Sequence, residues 1–259
     1  DHWLKGEDNG VETGRPVKLF IMGPDVWREE EDWPLPDTQW HEFYLHSDGQ
    51  AGSTAGELSV AVPEDESADS YRYDPSDPIP TVGGSTFLPG LSIAANAGPR
   101  DQQDLESRAD VLCYTSSVLE HDLEVTGPVA LILYVRSSAI DTDFTGKLVD
   151  VYPDGRAMLL TDGILRARYR SGFEKPEMLT PGEVYRIEID LVATANVFAA
   201  GHRIRLEVSS SNFPRFDRNT NTGGVIATET DADFKIATNE VLHDVDHPSH
   251  LILPIIDRT

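Results

Sequence analysis

Residues 147–170 read Lys147-Leu148-Val149-Asp150-Val151-Tyr152-Pro153-Asp154-Gly155-Arg156-Ala157-Met158-Leu159-Leu160-Thr161-Asp162-Gly163-Ile164-Leu165-Arg166-Ala167-Arg168-Tyr169-Arg170. Two β-rich runs flank Pro153-Asp154-Gly155, a strong turn signal. Ile164, Arg166, Arg168 and Arg170 alternate with Leu165, Ala167 and Tyr169. That period of two sends successive side chains to opposite faces of a sheet.

The same pattern recurs on both sides of this hairpin. Residues 184–191 set Tyr185, Ile187, Ile189 and Leu191 against Arg186, Glu188 and Asp190, and residues 203–208 and 251–256 also read as strands. Residues 129–135 are nearly all apolar and predict a strand buried on both faces. Residues 17–22, 40–45 and 57–62 complete the set, with 47–56 as a hairpin loop and an acidic, Trp-bearing loop up to Pro36. Helix is expected only as one turn in 193–200 and two in 231–242. Residues 63–110 read as mostly irregular, and so long an irregular stretch is usually functional or drapes over another surface. Many strands with strong turns argue an all-β jelly-roll β-sandwich with few short helices.

The chain has 259 residues, with 45 acidic against 21 basic side chains and a formal net charge of -24. That charge repels nucleic acid and anionic membranes, so neither is an expected partner. Lysine is scarce, at Lys5, Lys18, Lys147, Lys175 and Lys235, as suits a surface adapted to concentrated salt. There the Debye length falls to about 3 Å at 1 M and self-repulsion is screened. A single cysteine, Cys113, excludes an intramolecular disulfide. No apolar run approaches the ~18 residues of a membrane helix. The chain opens at Asp1 with no signal peptide, so it reads as a processed or excised piece with a cytoplasmic location.

A self-contained catalytic set is missing from the sequence. No serine has the G-x-S-x-G setting of a nucleophile elbow, and Gly52-Ser53-Thr54-Ala55-Gly56 reads as a flexible loop. Cys113 lies in an apolar run and reads as a buried small hydrophobe rather than a thiolate. His243, His247 and His250 have a spacing that suits zinc on a helix, but Pro248 interrupts it and no Glu stands as in H-E-x-x-H. Asp141-Thr142-Asp143 offers oxygens to calcium or simply makes a turn. Residues 29–32 read as a solvated acidic run, and Gly223-Gly224 lacks the Lys-Ser/Thr of a phosphate loop. The expectation is no catalytic residue, no metal and no cofactor.

Three long motifs carry a resemblance: Ser137–Arg156 as a whole, Ser209-Ser210-Ser211-Asn212-Phe213-Pro214-Arg215-Phe216-Asp217-Arg218-Asn219, and His247-Pro248-Ser249-His250. They resemble the C-terminal domain of the cocaine esterase / X-Pro dipeptidyl-peptidase family of serine hydrolases, and the likeness covers almost the entire chain. It implies a jelly roll of the galactose-binding-domain-like type. It also implies a Ser-His-Asp triad on an N-terminal α/β-hydrolase domain with a helical cap. Asp1-His2-Trp3-Leu4-Lys5-Gly6 resembles the end of the last hydrolase-domain helix. The implied division is 1–13 as stub and linker and 14–259 as the jelly roll, with the triad absent and the piece inactive alone. The implied partners are the hydrolase and cap domains and a small acyl ester or peptide substrate reached through the parent; a homodimer is a separate expectation, not part of the resemblance. A pair after Gly83-Gly84-Ser85-Thr86, namely Phe87 and Leu88, would line the acyl pocket. The competing reading is a free carbohydrate-binding module using Trp27, Trp33, Trp40 and Tyr44.

Overall fold

The computed structural model describes residues 1–49, 51–53, 56–86 and 97–258. Its strands are β1 (Val17–Ile21), β2 (Val26–Glu30), β3 (Gln39–His46), β4 (Gly56–Ser59), β5 (Asp69–Tyr73), β6 (Leu112–Thr115) and β7 (Leu123–Ser137). Then come β8 (Asp143–Val151), β9 (Ala157–Arg166), β10 (Val184–Phe198), β11 (Arg203–Ser209), β12 (Ala237–Leu242) and β13 (His250–Ile256). Two α-helical turns, α1 (His2–Lys5) and α2 (Gln103–Glu106), accompany them.

One hydrogen-bonded path runs β5-β12-β7-β13-β3-β4-β6-β11-β8-β9, with β10 also pairing β7. The path folds over at β4, which pairs antiparallel with β3 and parallel with β6. The result is a sandwich with β10, β7, β13 and β3 in one layer and β6, β11, β8 and β9 in the other. Leu131, Leu133, Ile187, Leu191 and Leu251 face Phe144, Leu148, Ile204 and Leu206 in the core between the layers. Burying each side chain of that size contributes about 1.5–3 kcal/mol. The layers touch at Gly146, where a Cβ would stand 2.6 Å from Leu131 Cδ2 and 2.9 Å from Leu191 Cδ2.

Strand β8 is buried along its whole length. A second cluster packs Ile79, Leu105 and Val111 against Cys113 of β6. Lys147 Nζ donates to Gln102 Oε1 at 2.9 Å and lies 3.7 Å from Glu207. Arg205 Nη1 donates to Glu106 Oε2 at 2.6 Å. The alternation in 184–191 marks a strand that continues to Phe198, so the helical turn expected in 193–200 is replaced by strand. The ladder with residues 123–128 of β7 overrides the helical preference of those alanines. The helix expected in 231–242 is a 3₁₀ turn, Asp231–Asp233, followed by β12, which inserts between β5 and β7. The acidic loop expected before Pro36 contains β2, whose side chains answer β1 across a hairpin. The stretch expected to be irregular from 63 to 110 includes, among the described residues, strand β5.

Candidate functional site

Two motifs far apart in sequence meet at one place. Phe87 and Leu88, the expected pocket pair, lie outside the described residues, but the neck on either side of residues 87–96 is described. Gly84 and Gly98 close it as an antiparallel bridge, each N–H donating to the other's carbonyl at 2.9 Å. Gly83 and Gly84 have φ of 74° and 83°, and a Cβ on Gly83 would stand 2.6 Å from Gly98 O, so glycine is required there. Arg215, from the 209–219 motif, donates through Nη1 to both Asp162 oxygens (2.5 and 2.6 Å) and through Nη2 to Ser85 Oγ at 2.8 Å. Asn212 Nδ2 adds a bond to Asp162 Oδ2 at 2.9 Å. Thr81 N–H donates to Phe213 O at 2.7 Å, and Gln102 Nε2 to Val82 O and Arg100 O at 2.9 and 3.0 Å. A buried ion pair with both oxygens used fixes geometry tightly.

The other sequence candidates have structural roles. Cys113 is fully buried and its thiol is pushed up by desolvation, so it is inert. His243, His247 and His250 do not converge: His243 contacts Asp69 and Glu66, His247 contacts Asp244, and His250 bonds Pro248 O. Asp141 accepts from the Arg168 guanidinium at 2.8 Å and from Asn219 at 2.8 Å. Asp143 accepts from Arg166 at 3.0 Å and from Asn219 at 2.7 Å. The two carboxylates are thus neutralised by guanidinium groups in place of the calcium considered for them. Burial nevertheless raises the pKa of Asp143 above the ordinary carboxylate value, against its bonds to Arg166 and Asn219.

An array invisible in the sequence does form among the described residues. Ser59 Oγ lies 3.2 Å from His46 Nε2, and His46 Nδ1 lies 2.7 Å from Glu66 Oε1, the connectivity of a hydrolytic triad. Its electrostatics forbid that use. Ala61 O stands 3.0 Å from the same Nε2 and calls for a proton there, whereas a general base needs a lone pair. The cavity beside it, about 570 Å³, is lined by Asp48, Glu57, Glu64 and Asp65, which would repel an oxyanion. Beyond Glu66 the chain of groups continues inward through His243 to Asp69, which also accepts from Tyr114 OH at 2.8 Å and Ala51 N–H at 2.8 Å. No local spacing announces this cluster, because its members come from six separate segments.

The aromatic row required by a sugar-binding module breaks up. Trp40 and Tyr44 share the outer face of β3 and line an open cavity of about 750 Å³ with Val60, Val62, Pro128, Ala130 and Ile252. Trp27 instead pairs with Phe20 on the β1–β2 hairpin, and Trp33 is half-buried elsewhere.

Residues 9–252 match the family described as the X-Pro dipeptidyl-peptidase C-terminal non-catalytic domain. The chain is 50% identical over its whole length to the cocaine esterase of Rhodococcus sp. (strain MB1 Bresler), of which it spans 45%. It superposes on an aminopeptidase from a marine sediment archaeon, Thaumarchaeota archaeon, with a TM-score of 0.84 and 28% identity over 94% of this chain and 40% of that one. It also superposes on an α-amino acid ester hydrolase with a TM-score of 0.83 and 28% identity, over 93% of this chain and 41% of that one. The chain therefore spans less than half the length of each of these proteins.

Proposed function

The chain belongs to the X-Pro dipeptidyl-peptidase C-terminal non-catalytic domain family, and from that premise we propose that it is the accessory sandwich of a serine hydrolase acting on acyl esters or amides. The triad in this reading is carried by an N-terminal α/β-hydrolase part, and residues 1–13 are the stub and linker that join it. Phe87 and Leu88 wall the acyl side of the active site. The observation that supports the wall is the neck: the Arg215–Asp162 pair and the Gly84–Gly98 bridge hold both ends of the segment that carries these residues. An apolar pair that walls a pocket discriminates acyl groups by size, each well-placed methylene being worth about 1–3 kcal/mol.

The test is made in the full-length enzyme. Phe87→Ala and Leu88→Ala are expected to lower kcat/KM for bulky acyl esters by roughly tenfold or more, about 1.4 kcal/mol per decade, and to spare acetyl esters. Equal loss on all esters, or none, rejects the wall. The 259-residue chain alone is expected to show no turnover and no labelling by a fluorophosphonate. Stoichiometric label on Ser59 would reject the non-catalytic reading. A second reading rests on the Trp40–Tyr44 cavity, an exposed aromatic surface of the kind sugars stack on. Saturable quenching of tryptophan fluorescence by an oligosaccharide, abolished in Trp40→Ala, would favour it.

A further inference from the structure

The β1–β2 hairpin is a ribbon of two strands outside the main sheet, and such ribbons are marginal unless something covers them. Its inner side is well held. Ile21 is buried, Arg28 donates to both Glu124 oxygens (2.8 and 2.6 Å), and Arg258 donates to Glu30. Met22 N–H donates to Ala195 O at 2.9 Å, and Val197 N–H to Met22 O at 3.0 Å, joining the ribbon to β10.

Its outer side is bare. The register sets Phe20 opposite Trp27 and Lys18 opposite Glu29. Phe20 and Trp27 meet edge to face at 5.4 Å, yet Phe20 is 40% exposed and Trp27 66%. Trp3 and Leu4, a short way upstream, are exposed as well. Paired aromatics at the centre of a rigid surface are the residues that most often dominate a protein–protein contact, and a bare apolar patch of this kind marks one.

The position of the hairpin selects its partner. A cavity of about 650 Å³ is bounded by Phe20, Met22 and Pro24 of the hairpin and by Pro99, the residue after Gly98 of the neck. A body whose pocket is walled from the neck therefore meets the hairpin at the same time. The other apolar surface, around Trp40 and Ile252, shares no lining residue with the hairpin or the neck. Resting on the function proposed above, we infer that the β1–β2 hairpin, with Phe20 and Trp27 at its centre, is the seat of the N-terminal hydrolase part of the parent enzyme. The fixed inner side presents the aromatic pair as a preorganised anchor, so ordering it costs little on docking.

Amide hydrogen exchange tests this without substrate. Residues 17–30 are compared in the 259-residue chain and in the full-length enzyme. The expected result is exchange at least tenfold slower in the full-length protein for these residues, with no change at 40–44 and 128–130. The double substitution Phe20→Ser with Trp27→Ser is expected to remove that protection and to split one melting transition of the full-length protein into two. In the 259-residue chain the same pair should lower the Tm by no more than a few degrees, because Trp27 is mostly solvated there and Phe20 partly so. Trp40→Ser serves as the control and should alter neither readout. Equal exchange of 17–30 in both proteins, or protection at 40–44 instead, overturns the inference. A full-length protein that fails to hydrolyse esters would refute the hydrolase reading and leave the exchange result to stand or fall by itself.

Discussion

His243 serves two carboxylates from a fully buried position, with Nε2 2.9 Å from Asp69 and Nδ1 3.2 Å from Glu66. Burial works against its charge, but the bond to Asp69 and the field of Asp69 and Glu66 outweigh it, so its pKa rises above 6.5. Burial likewise opposes the charge of Asp69 and Glu66, yet their hydrogen bonds lower both values. The signs define a window. The histidine's contribution is full below pH 6.5 and is lost as pH rises through its folded value. The carboxylates' contribution is present above their unfolded values and is lost as pH falls through the lowered ones. His243→Gln should cost roughly 3–5 kcal/mol near pH 6, since it leaves the buried Asp69 without its counter-charge, and urea melts should show the deficit shrinking by pH 9. Gly146→Ala should cost roughly 1–3 kcal/mol by overpacking the contact between layers, read as a lower urea midpoint at unchanged slope. Single residues were unevenly legible in the sequence. The burial of Cys113 is legible because its neighbours are apolar, while the His243 cluster is not, because it exists only after β5, β6 and β12 come together.

Elements obeyed the sequence where a pattern was uniform and departed from it where a neighbour decided. The alternation in 184–191 gave β10 its start, but only the ladder with β7 carries it through the bulge at 190–193 to Phe198. The segment ending in α2 is tied to β11 and β8 by charge. Glu106 and Glu207 each keep one buried oxygen without a partner, beside Lys147 and Arg205. Desolvation pushes Glu207 up to about 7 despite the attraction of Lys147. With the folded value above the unfolded one, its contribution is full below 4.5 and fades as pH rises through about 7. Glu207→Gln should therefore flatten the stability profile between pH 5 and 8 and leave the protein no less stable at pH 8, by urea melts at both ends. At the neck, Arg215→Met leaves Asp162 buried and unpaired. It should cost roughly 3–5 kcal/mol and speed amide exchange at Gly84 and Gly98, with Arg215→Lys restoring only part because it lacks the second nitrogen that bonds Ser85 while the first holds Asp162.

Over the whole molecule, the sandwich class followed from strand periodicity, whereas the order of strands did not, since some pairing partners lie more than two hundred residues apart. The net charge of -24 makes self-repulsion a property of the entire surface rather than of any pair. Raising salt from 0.05 to 1 M should lift the Tm by a few degrees, on the order of 1–2 kcal/mol, and a flat response would refute salt adaptation as the reason for the acidic surplus. The place of β13 has a consequence for biosynthesis. It lies between β3 and β7, bonded to both, yet it is translated long after either. Throughout elongation the growing polypeptide holds an open slot between two strands, and only the emergence of residues 250–256 from the ribosome fills it. A message cut short after Ser249 would yield a split sheet with two unpaired edges, and such a product should accumulate in inclusion bodies.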